Sequence, residues 1–509
     1  MPRPLPLALL LLATALLPLP GAHACTSIIV GRKASADGSI YLARNADLPS
    51  LWASPPANLA HHPPRSRPLP FFSNANGFST ELPAPGLAYV ALPMRPGSKA
   101  AGTGPSWEEA GVNARGVAVS ATETIFSSAA ALAVDPLNTD SGISEDVIPT
   151  LLLPEVKTAR EGVQLLGMAT EGAGAAEGYG VLLSDPKEAW YFESAAGHQW
   201  LAQRVPEDSF FVTANQGRFQ TFNASNTDGV LHSRLLARVC AIMQLFTGLD
   251  SSACLQQMPL GVPVFPKPTV PLDFHDVARG LRDFFQGTDH DPYTSPHPEE
   301  QWRPVALLRT AAGHITRSRK GVPHALSVVL YLAQGMPLLS PFVPLYTLGL
   351  PPDALPVEMS GATNEPDPQS LFWRARRLQA LVFQDFPLLA PNATAAILAF
   401  EEEVEEARRP AMEERYTEAD AAGDAAGASE ELVAFTRAVV ADASRLLDEL
   451  AAAAAAALGL DSVPPDSQIV EWLDAAGTAY GLHGPAGPAE PAKRGAAGHS
   501  GRRSRAQGT

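Results

Sequence analysis

Three residues near the N-terminus, Cys25, Arg44 and Asp47, are of the types needed to attack an amide bond. A thiol is a nucleophile, a nearby guanidinium favours its thiolate form, and a carboxylate can fix an ammonium group. A free α-amino group has a pKa of about 7.7–8.0, close to the thiol value of about 8.5, so it can accept the thiol proton near neutral pH. A cysteine at the start of a mature chain would therefore carry its own base.

The segment ahead of Cys25 has the pattern of a cleavable secretion signal. Arg3 is its only charged residue, and residues 7–17 form an apolar run that is too short for a membrane anchor. Small residues at Ala22 and Ala24 suit a signal peptidase, so we expect cleavage after Ala24 and a mature chain that begins with Cys25. Acylation of Cys25 is the alternative, although a lipid-attachment signal usually has leucine where this chain has Ala22.

The elements around these residues predict a β-hairpin that positions them. Residues 25–31 are rich in β-branched side chains and indicate a strand, the ADGS sequence at 36–39 indicates a turn, and residues 40–43 indicate the returning strand. A hairpin of this length brings Arg44 and Asp47 back beside Cys25. The guanidinium and the carboxylate would then lie near the thiol and the amine.

Composition excludes several classes of protein. The 509 residues are 46% hydrophobic and 18% charged, which is enough for one or two large folded domains. A formal charge of −16 argues against a nucleic-acid partner. The three cysteines, Cys25, Cys240 and Cys254, are too few for a disulfide scaffold and contain no CxxC pair for zinc. In an exported chain, Cys240 and Cys254 form a candidate disulfide, with two buried thiols as the alternative.

Several segments, in this order along the chain, resemble one known family. The segment CTSIIVGRKASADGSIYLARNAD resembles the mature N-terminus of the dipeptidase A family of N-terminal-nucleophile cysteine peptidases. That family is related to the secernins and, more distantly, to bile-salt hydrolases and penicillin V acylases. Further matches are GVNARGVA at 111–118, ATET at 121–124, DPKEAW at 185–190, GHQW at 197–200, VTANQ at 212–216, DPY at 291–293, WRP at 302–304, RT at 309–310 and SPFVPLY at 340–346.

The resemblance implies further site residues. Asn215 matches the position of an amide that donates to the developing oxyanion, a contact of about 3 kcal/mol in comparable sites; the alternative is a turn asparagine. Arg303 is the expected second active-site arginine, with Arg309 as its competitor. Asn113 and Glu123 are candidate substrate-binding residues, which a turn and a strand end explain nearly as well. We expect neither a metal nor an organic cofactor.

The resemblance also implies the fold class, an α+β protein with a four-layer αββα sandwich and a helical C-terminal region. The expected organisation is a signal peptide (1–24), a hydrolase domain (25–365), a helical region (366–482) and a disordered tail (483–509). The acidic run of Glu401–Glu403, Glu405 and Glu406 is predicted to be a solvated helix face rather than a cation site. Asn223 and Asn392 lie in candidate glycosylation sequons.

These inferences predict an exported cysteine dipeptidase that acts on dipeptides or short peptides. Its compartment would be extracellular, periplasmic, secretory or lysosome-like, with no stable membrane span and no nucleic-acid partner. Two alternatives remain: an amidase or acylase of non-peptide amides, and a non-catalytic secernin-like or lipid-anchored binding protein. The sequence leaves the oligomeric state open.

Overall fold

The structure is a computed structural model that describes residues 25–48, 51, 58–73, 75–95, 107–123, 125, 127–219, 222–236, 263–294 and 303–479. The signal peptide (1–24), Cys240, Cys254 and the tail (483–509) lie outside these residues, so those predictions remain predictions.

Two large antiparallel sheets form the centre of the molecule. The first has the strand order β12-β1-β2-β14-β15-β16. Its strands are β1 (Thr26–Val30), β2 (Ile40–Asp47), β12 (Phe210–Thr213), β14 (Thr310–Ser318), β15 (Val328–Gln334) and β16 (Val343–Leu345). The predicted hairpin is therefore confirmed, and β1 and β2 lie in the middle of this sheet.

The second sheet has eight strands in the order β13-β11-β10-β9-β8-β7-β6-β3. They are β3 (Ala60–His62), β6 (Tyr89–Arg95), β7 (Trp107–Asn113), β8 (Ala118–Glu123), β9 (Tyr179–Ser184), β10 (Ala189–Ser194), β11 (Trp200–Arg204) and β13 (Val230–His232). A separate small hairpin consists of β4 (Leu69–Phe72) and β5 (Ser79–Leu82). The sequence patterns at 86–92, 116–120, 178–183, 189–193 and 210–214 predict strands, and the structure confirms them as β6, β8, β9, β10 and β12.

Helices cover the outer faces of both sheets. Three helices precede β9: α1 (Ala129–Val134), α2 (Ile148–Leu152) and α3 (Ala159–Ala173). Of these, α2 and α3 pack on the second sheet. The first sheet is covered by helices that follow β13, with one apolar core between the layers. They are α4 (Phe274–Leu281), α5 (Leu371–Val382), α6 (Phe386–Glu403), α7 (Arg409–Ala421), α8 (Ala425–Ala457) and α9 (Asp466–Ala479).

A further apolar layer lies between the two sheets and includes Ile29, Leu42 and Phe211 from the first sheet and Leu182 and Tyr191 from the second. The order helix, sheet, sheet, helix confirms the predicted αββα fold class. None of the helices that the structure describes is long and apolar enough to span a bilayer.

The C-terminal helices share their core with the first sheet. Leu378 of α5 and Leu432 of α8 are buried in the same cluster as Leu332 of β15. Helices α6 and α7 are joined by a π-helical turn, Val404–Arg408, so the chain passes Pro410 without leaving a helical path. Pro410 does not interrupt the helical path, because a proline in the first turn of a helix removes no intrahelical donor.

The acidic run is not a uniformly solvated face. Glu401 is 1% exposed and accepts hydrogen bonds from both terminal nitrogens of Arg282, at 2.6 and 2.8 Å. Glu405 is 4% exposed and accepts from Arg317 at 3.3 Å and Arg409 at 2.9 Å. The prediction holds only for the exposed members of the run, because the buried members pair with arginines, of which Arg282 and Arg317 are distant in the sequence.

Candidate active site

Cys25 lies at the start of β1, where the two sheets face each other. Cys25 is only 6% exposed, and β1 lies between β12 and β2 in the first sheet. The strand forms because four of its five residues are β-branched, and all five are buried. A central strand has its backbone hydrogen bonds made on both sides, so the thiol is held on a rigid element.

Arg44 connects the thiol to the second sheet. It pairs across the hairpin with Ser27, is 1% exposed, and its Nη2 atom lies 3.4 Å from the Sγ atom of Cys25. The same nitrogen forms a salt bridge with the Glu109 carboxylate, while Nη1 donates to the Glu109 carbonyl at 3.1 Å and to Ser120 Oγ at 3.3 Å. A fixed cation at this distance stabilises negative charge that forms on the sulfur during a reaction.

Glu109 is a site residue that sequence reasoning missed. Its neighbour Glu108 points outward, where it accepts from Thr150 at 2.6 Å and contacts His62 at 2.7 Å. The pairing of β6 with β7 has a register shift in this region, from Ala91 opposite Gly111 to Pro93 opposite Glu108. Two residues of β7, Glu109 and Ala110, thus oppose the single residue Leu92 of β6, and such a bulge re-aims a side chain, here Glu109, toward the other sheet.

Burial and neighbouring charges shift the pKa values of two ionisable residues near the thiol, Arg44 and Glu145. Although burial alone would lower the pKa of Arg44, the thiol of Cys25 and the carboxylates of Glu109 and Glu145 raise it, so the guanidinium remains charged. Burial and the charges of Glu109 and Glu177 hold the pKa of Glu145 well above its ordinary value.

Asp47 lies at the end of β2 and gathers residues from the segment before β14. Its buried carboxylate accepts from Arg303 Nη2 at 2.8 Å and from the hydroxyl of Thr310. The competing arginine, Arg309, instead donates to the main-chain carbonyl of Leu48 at 2.5 Å. The structure therefore brings Arg303, rather than Arg309, into contact with the carboxylate that is the candidate partner of the α-amine.

Asn215 follows β12 in a turn at the same end of the first sheet. Ser27 of β1 pairs with Thr213 of β12, and continuing this antiparallel register by two residues sets Asn215 opposite Cys25. The hydroxyl of Thr213 donates to the carbonyls of Ala214 at 3.1 Å and Gln216 at 2.9 Å, which holds the turn. An amide so placed is at the right strand position to approach an oxyanion formed at Cys25.

His314 shows why a histidine is a poor candidate for the base. It pairs with Arg44 across β2 and β14 and is 1% exposed. Burial and the charge of Arg44 lower the pKa of His314 to about 3. The imidazole is therefore neutral across the physiological range and does not titrate where the reaction needs a proton acceptor.

Asn113 has a structural role in place of the predicted substrate contact. Its Nδ2 atom donates to the carbonyls of Leu153 at 2.8 Å and Val156 at 2.7 Å, and its Oδ1 atom accepts from the amides of Arg115 at 2.9 Å and Val117 at 3.1 Å. An asparagine amide has two donors and two acceptor positions, so all are used. The alternative interpretation, a turn residue, describes Asn113.

The other candidate residues remain predictions. The backbone of Glu123 ends β8 and pairs with Tyr179, and its side chain lies outside the described part of the structure. Asn223 is exposed in a loop, and Asn392 is exposed within α6. Among the residues described, no group of three or more histidine, cysteine, aspartate or glutamate side chains could hold a metal ion.

Comparison with known families identifies the chain. The sequence profile of peptidase family C69 matches residues 24–258 and 252–398, and these ranges cover well over half of the chain. The chain belongs to this family. The match begins one residue before Cys25 and includes Arg44, Asp47, Asn215 and Arg303.

Curated relatives of this C69 peptidase carry the name dipeptidase. A probable dipeptidase of Salmonella dublin is 37% identical over 366 residues, which cover 64% of this chain and 81% of that protein. Probable dipeptidase B of Lactococcus lactis is 31% identical over 388 residues, covering 69% and 79%. A dipeptidase of Bifidobacterium longum is 27% identical over 418 residues, covering 70% and 77%.

Among solved structures, penicillin V acylase from Agrobacterium tumefaciens aligns with 14% identity and a TM-score of 0.32, over 63% of this chain and 85% of that one. A mutant of conjugated bile acid hydrolase from Clostridium perfringens aligns with 12% identity and a TM-score of 0.25, over 61% and 89%.

Proposed function

We propose that this C69 peptidase is an exported dipeptidase in which Cys25, as the first residue of the mature chain, is the nucleophile. The observation that carries the proposal is the buried contact of 3.4 Å between Cys25 Sγ and Arg44 Nη2 at the start of a central strand. The dipeptidase activity is supported by the names of the curated relatives. Export is supported by the signal-like composition of residues 1–24 and by the family match, which begins at residue 24.

The proposed reaction begins with transfer of the thiol proton to the α-amine of Cys25. The thiolate, stabilised by Arg44, attacks the scissile carbonyl, and the carbonyl oxygen becomes an oxyanion to which the Asn215 amide donates. Collapse of this tetrahedral intermediate breaks the C–N bond, and the ammonium of Cys25 returns its proton to the leaving amine. The first product leaves with a free amino group, and the acyl group stays on the sulfur as a thioester.

The second half of the reaction uses water. The free α-amine of Cys25 accepts a proton from the water molecule that attacks the thioester, and a second oxyanion forms at the same position. Its collapse breaks the C–S bond and releases the carboxylic acid, and the thiolate takes the proton back from the ammonium of Cys25. Asp47, held by Arg303 and Thr310, orients the ammonium in both halves, because a carboxylate fixes a neighbouring cation.

A panel of substrates tests the dipeptidase activity against the amidase alternative. We expect unblocked dipeptides to be hydrolysed with kcat/KM at least about 10-fold above that of N-acyl amides such as phenoxyacetyl and bile-acid conjugates, a difference of about 1.4 kcal/mol in transition-state binding. Each dipeptide is compared with its N-acetylated form as a matched control. Faster hydrolysis of the acyl amides would assign the site to a non-peptide amidase. Absence of hydrolysis with both classes would favour a binding protein.

A further inference from the structure

The turn that carries Asn215 is held at two points. We define the Asn215 loop as residues 214–219, between the end of β12 and Phe219. One attachment is the Thr213 hydroxyl, which donates to two carbonyls at the start of the loop. The other attachment comes from the second sheet, from the side chain of Glu193 on β10.

Glu193 receives two adjacent backbone donors from the end of this loop. Glu193 is only 3% exposed. Its Oε1 atom accepts from the amide of Arg218 at 2.6 Å, and its Oε2 atom accepts from the amide of Phe219 at 3.2 Å. The ring of Phe219 packs against Tyr191 and Phe211, with centroid distances of 5.7 and 6.5 Å. The end of the loop is therefore fixed to the layer between the two sheets.

We propose that Glu193 is a positioning residue for the reaction, because it fixes the Asn215 loop at the location from which the Asn215 amide reaches the oxyanion. The inference depends on the proposed function, in which Asn215 is the oxyanion donor. Glu193 does not touch the reacting atoms in this mechanism. Its effect passes through the backbone amides of Arg218 and Phe219 to an asparagine three residues earlier.

The chemistry of the side chain explains why a carboxylate occupies this place. Two neighbouring N–H groups need two acceptor atoms, and an ionised carboxylate offers both oxygens as acceptors. A glutamine offers one acceptor and one donor, so one of the two N–H groups would face an NH₂ group. Replacing Glu193 by glutamine therefore releases part of the loop while it keeps the volume of the side chain.

Burial makes the ionised form costly to the fold. It raises the pKa of Glu193 to about 7, and the hydrogen bonds from Arg218 and Phe219 together with the charge of Arg218 only partly offset this. Because the folded state holds this proton more tightly than the unfolded state does, the contribution of Glu193 to stability falls as the pH rises from about 4.5 to about 7. At pH 8, a neutral glutamine is thus expected to fold at least as stably as glutamate.

The first experiment is Glu193→Gln at pH 8 with a dipeptide substrate. We expect kcat per titrated active site to fall about 10–100-fold with little change in KM, because a displacement of about 1 Å in a catalytic group has effects of this size. The melting temperature should not fall. The matched control is Asp135→Asn, since the Asp135 carboxylate accepts from the His198 amide at 2.6 Å and so holds a different loop. Its kcat should stay within about twofold of the unmodified enzyme.

A double-mutant cycle with Asn215→Ala then tests separately the role of Asn215 as oxyanion donor and the role of Glu193 as positioning residue. We expect Asn215→Ala alone to lower kcat about 10²–10³-fold, and Glu193→Gln to add less than about twofold in that background. No effect of Asn215→Ala would overturn the proposed role of Asn215. A loss in Asn215→Ala that Glu193→Gln multiplies in full, or a Glu193→Gln variant with unchanged kcat, would overturn the positioning role alone. If Glu193→Gln does not fold, Glu193→Asp keeps the charge, shortens the reach and carries the same expectations for kcat, alone and together with Asn215→Ala.

Discussion

Cys25→Ser is expected to lower kcat for dipeptides by at least about 10³-fold while the fold stays intact. A serine hydroxyl is far less acidic than a thiol, so an α-amine with a pKa of about 8 cannot deprotonate it effectively. Arg44 also loses the anion that it stabilises. Loss of a nucleophile removes the reaction path itself, which is why its effect is expected to be among the largest of any substitution.

Two measurements control the Cys25→Ser experiment. The melting temperature of the variant should stay near that of the unmodified protein, because one buried atom changes with little change in volume. The N-terminus of the variant should also be determined, so that a failure of processing is distinguished from a loss of chemistry. A processed, folded Cys25→Ser variant with full activity would contradict the nucleophile assignment.

Arg44→Met is expected to remove most activity and also to destabilise the fold. The substitution leaves the Glu109 carboxylate buried without its cation, and breaking a buried ion pair in this way costs about 3–5 kcal/mol. It also removes the cation that lies 3.4 Å from the Sγ atom of Cys25, so kcat/KM near neutral pH should fall. Urea unfolding and steady-state kinetics measure the two effects separately.

Replacing Glu109, the ion-pair partner of Arg44, together with Arg44 separates the loss of stability from the loss of activity. Arg44→Met/Glu109→Leu also removes the Glu109 carboxylate that Arg44→Met leaves without its cation, so we expect much of the lost stability to return while activity stays low. A matched control is Arg282→Met, which breaks the buried pair with Glu401 in the helical layer. It should cost similar stability and leave kcat per folded molecule unchanged. If Arg44→Met keeps kcat per folded molecule, then Arg44 has only a structural role.

The local geometry of the site could be predicted because it depends on short-range rules. Strand propensity in β1, a turn at 36–39 and the returning strand β2 determine that Arg44 comes back beside the first strand. The αββα fold class came from the resemblance of ordered segments to a known family, since periodicity alone does not select among layered architectures.

The parts that could not be predicted depend on long-range packing. A bulge in β7 directs the Glu109 side chain into the site. Two successive glutamates, Glu108 and Glu109, occur in this strand, and the sequence alone does not show which of them faces the first sheet. Asn113 matched a family segment, yet its amide is fully used by four backbone groups. Glu401 looked solvent-exposed because its partner Arg282 lies 119 positions away in the sequence.

The central claim is that the active protein begins with an unmodified Cys25. Its most direct test is mass spectrometry of the N-terminal peptide of active enzyme isolated after export, with a thiol-specific label applied before digestion. We expect a peptide that begins with Cys25, has a free α-amine and carries one label on its thiol, with label uptake that parallels the loss of activity. An active enzyme whose chain begins elsewhere, or whose Cys25 is acylated, would contradict it.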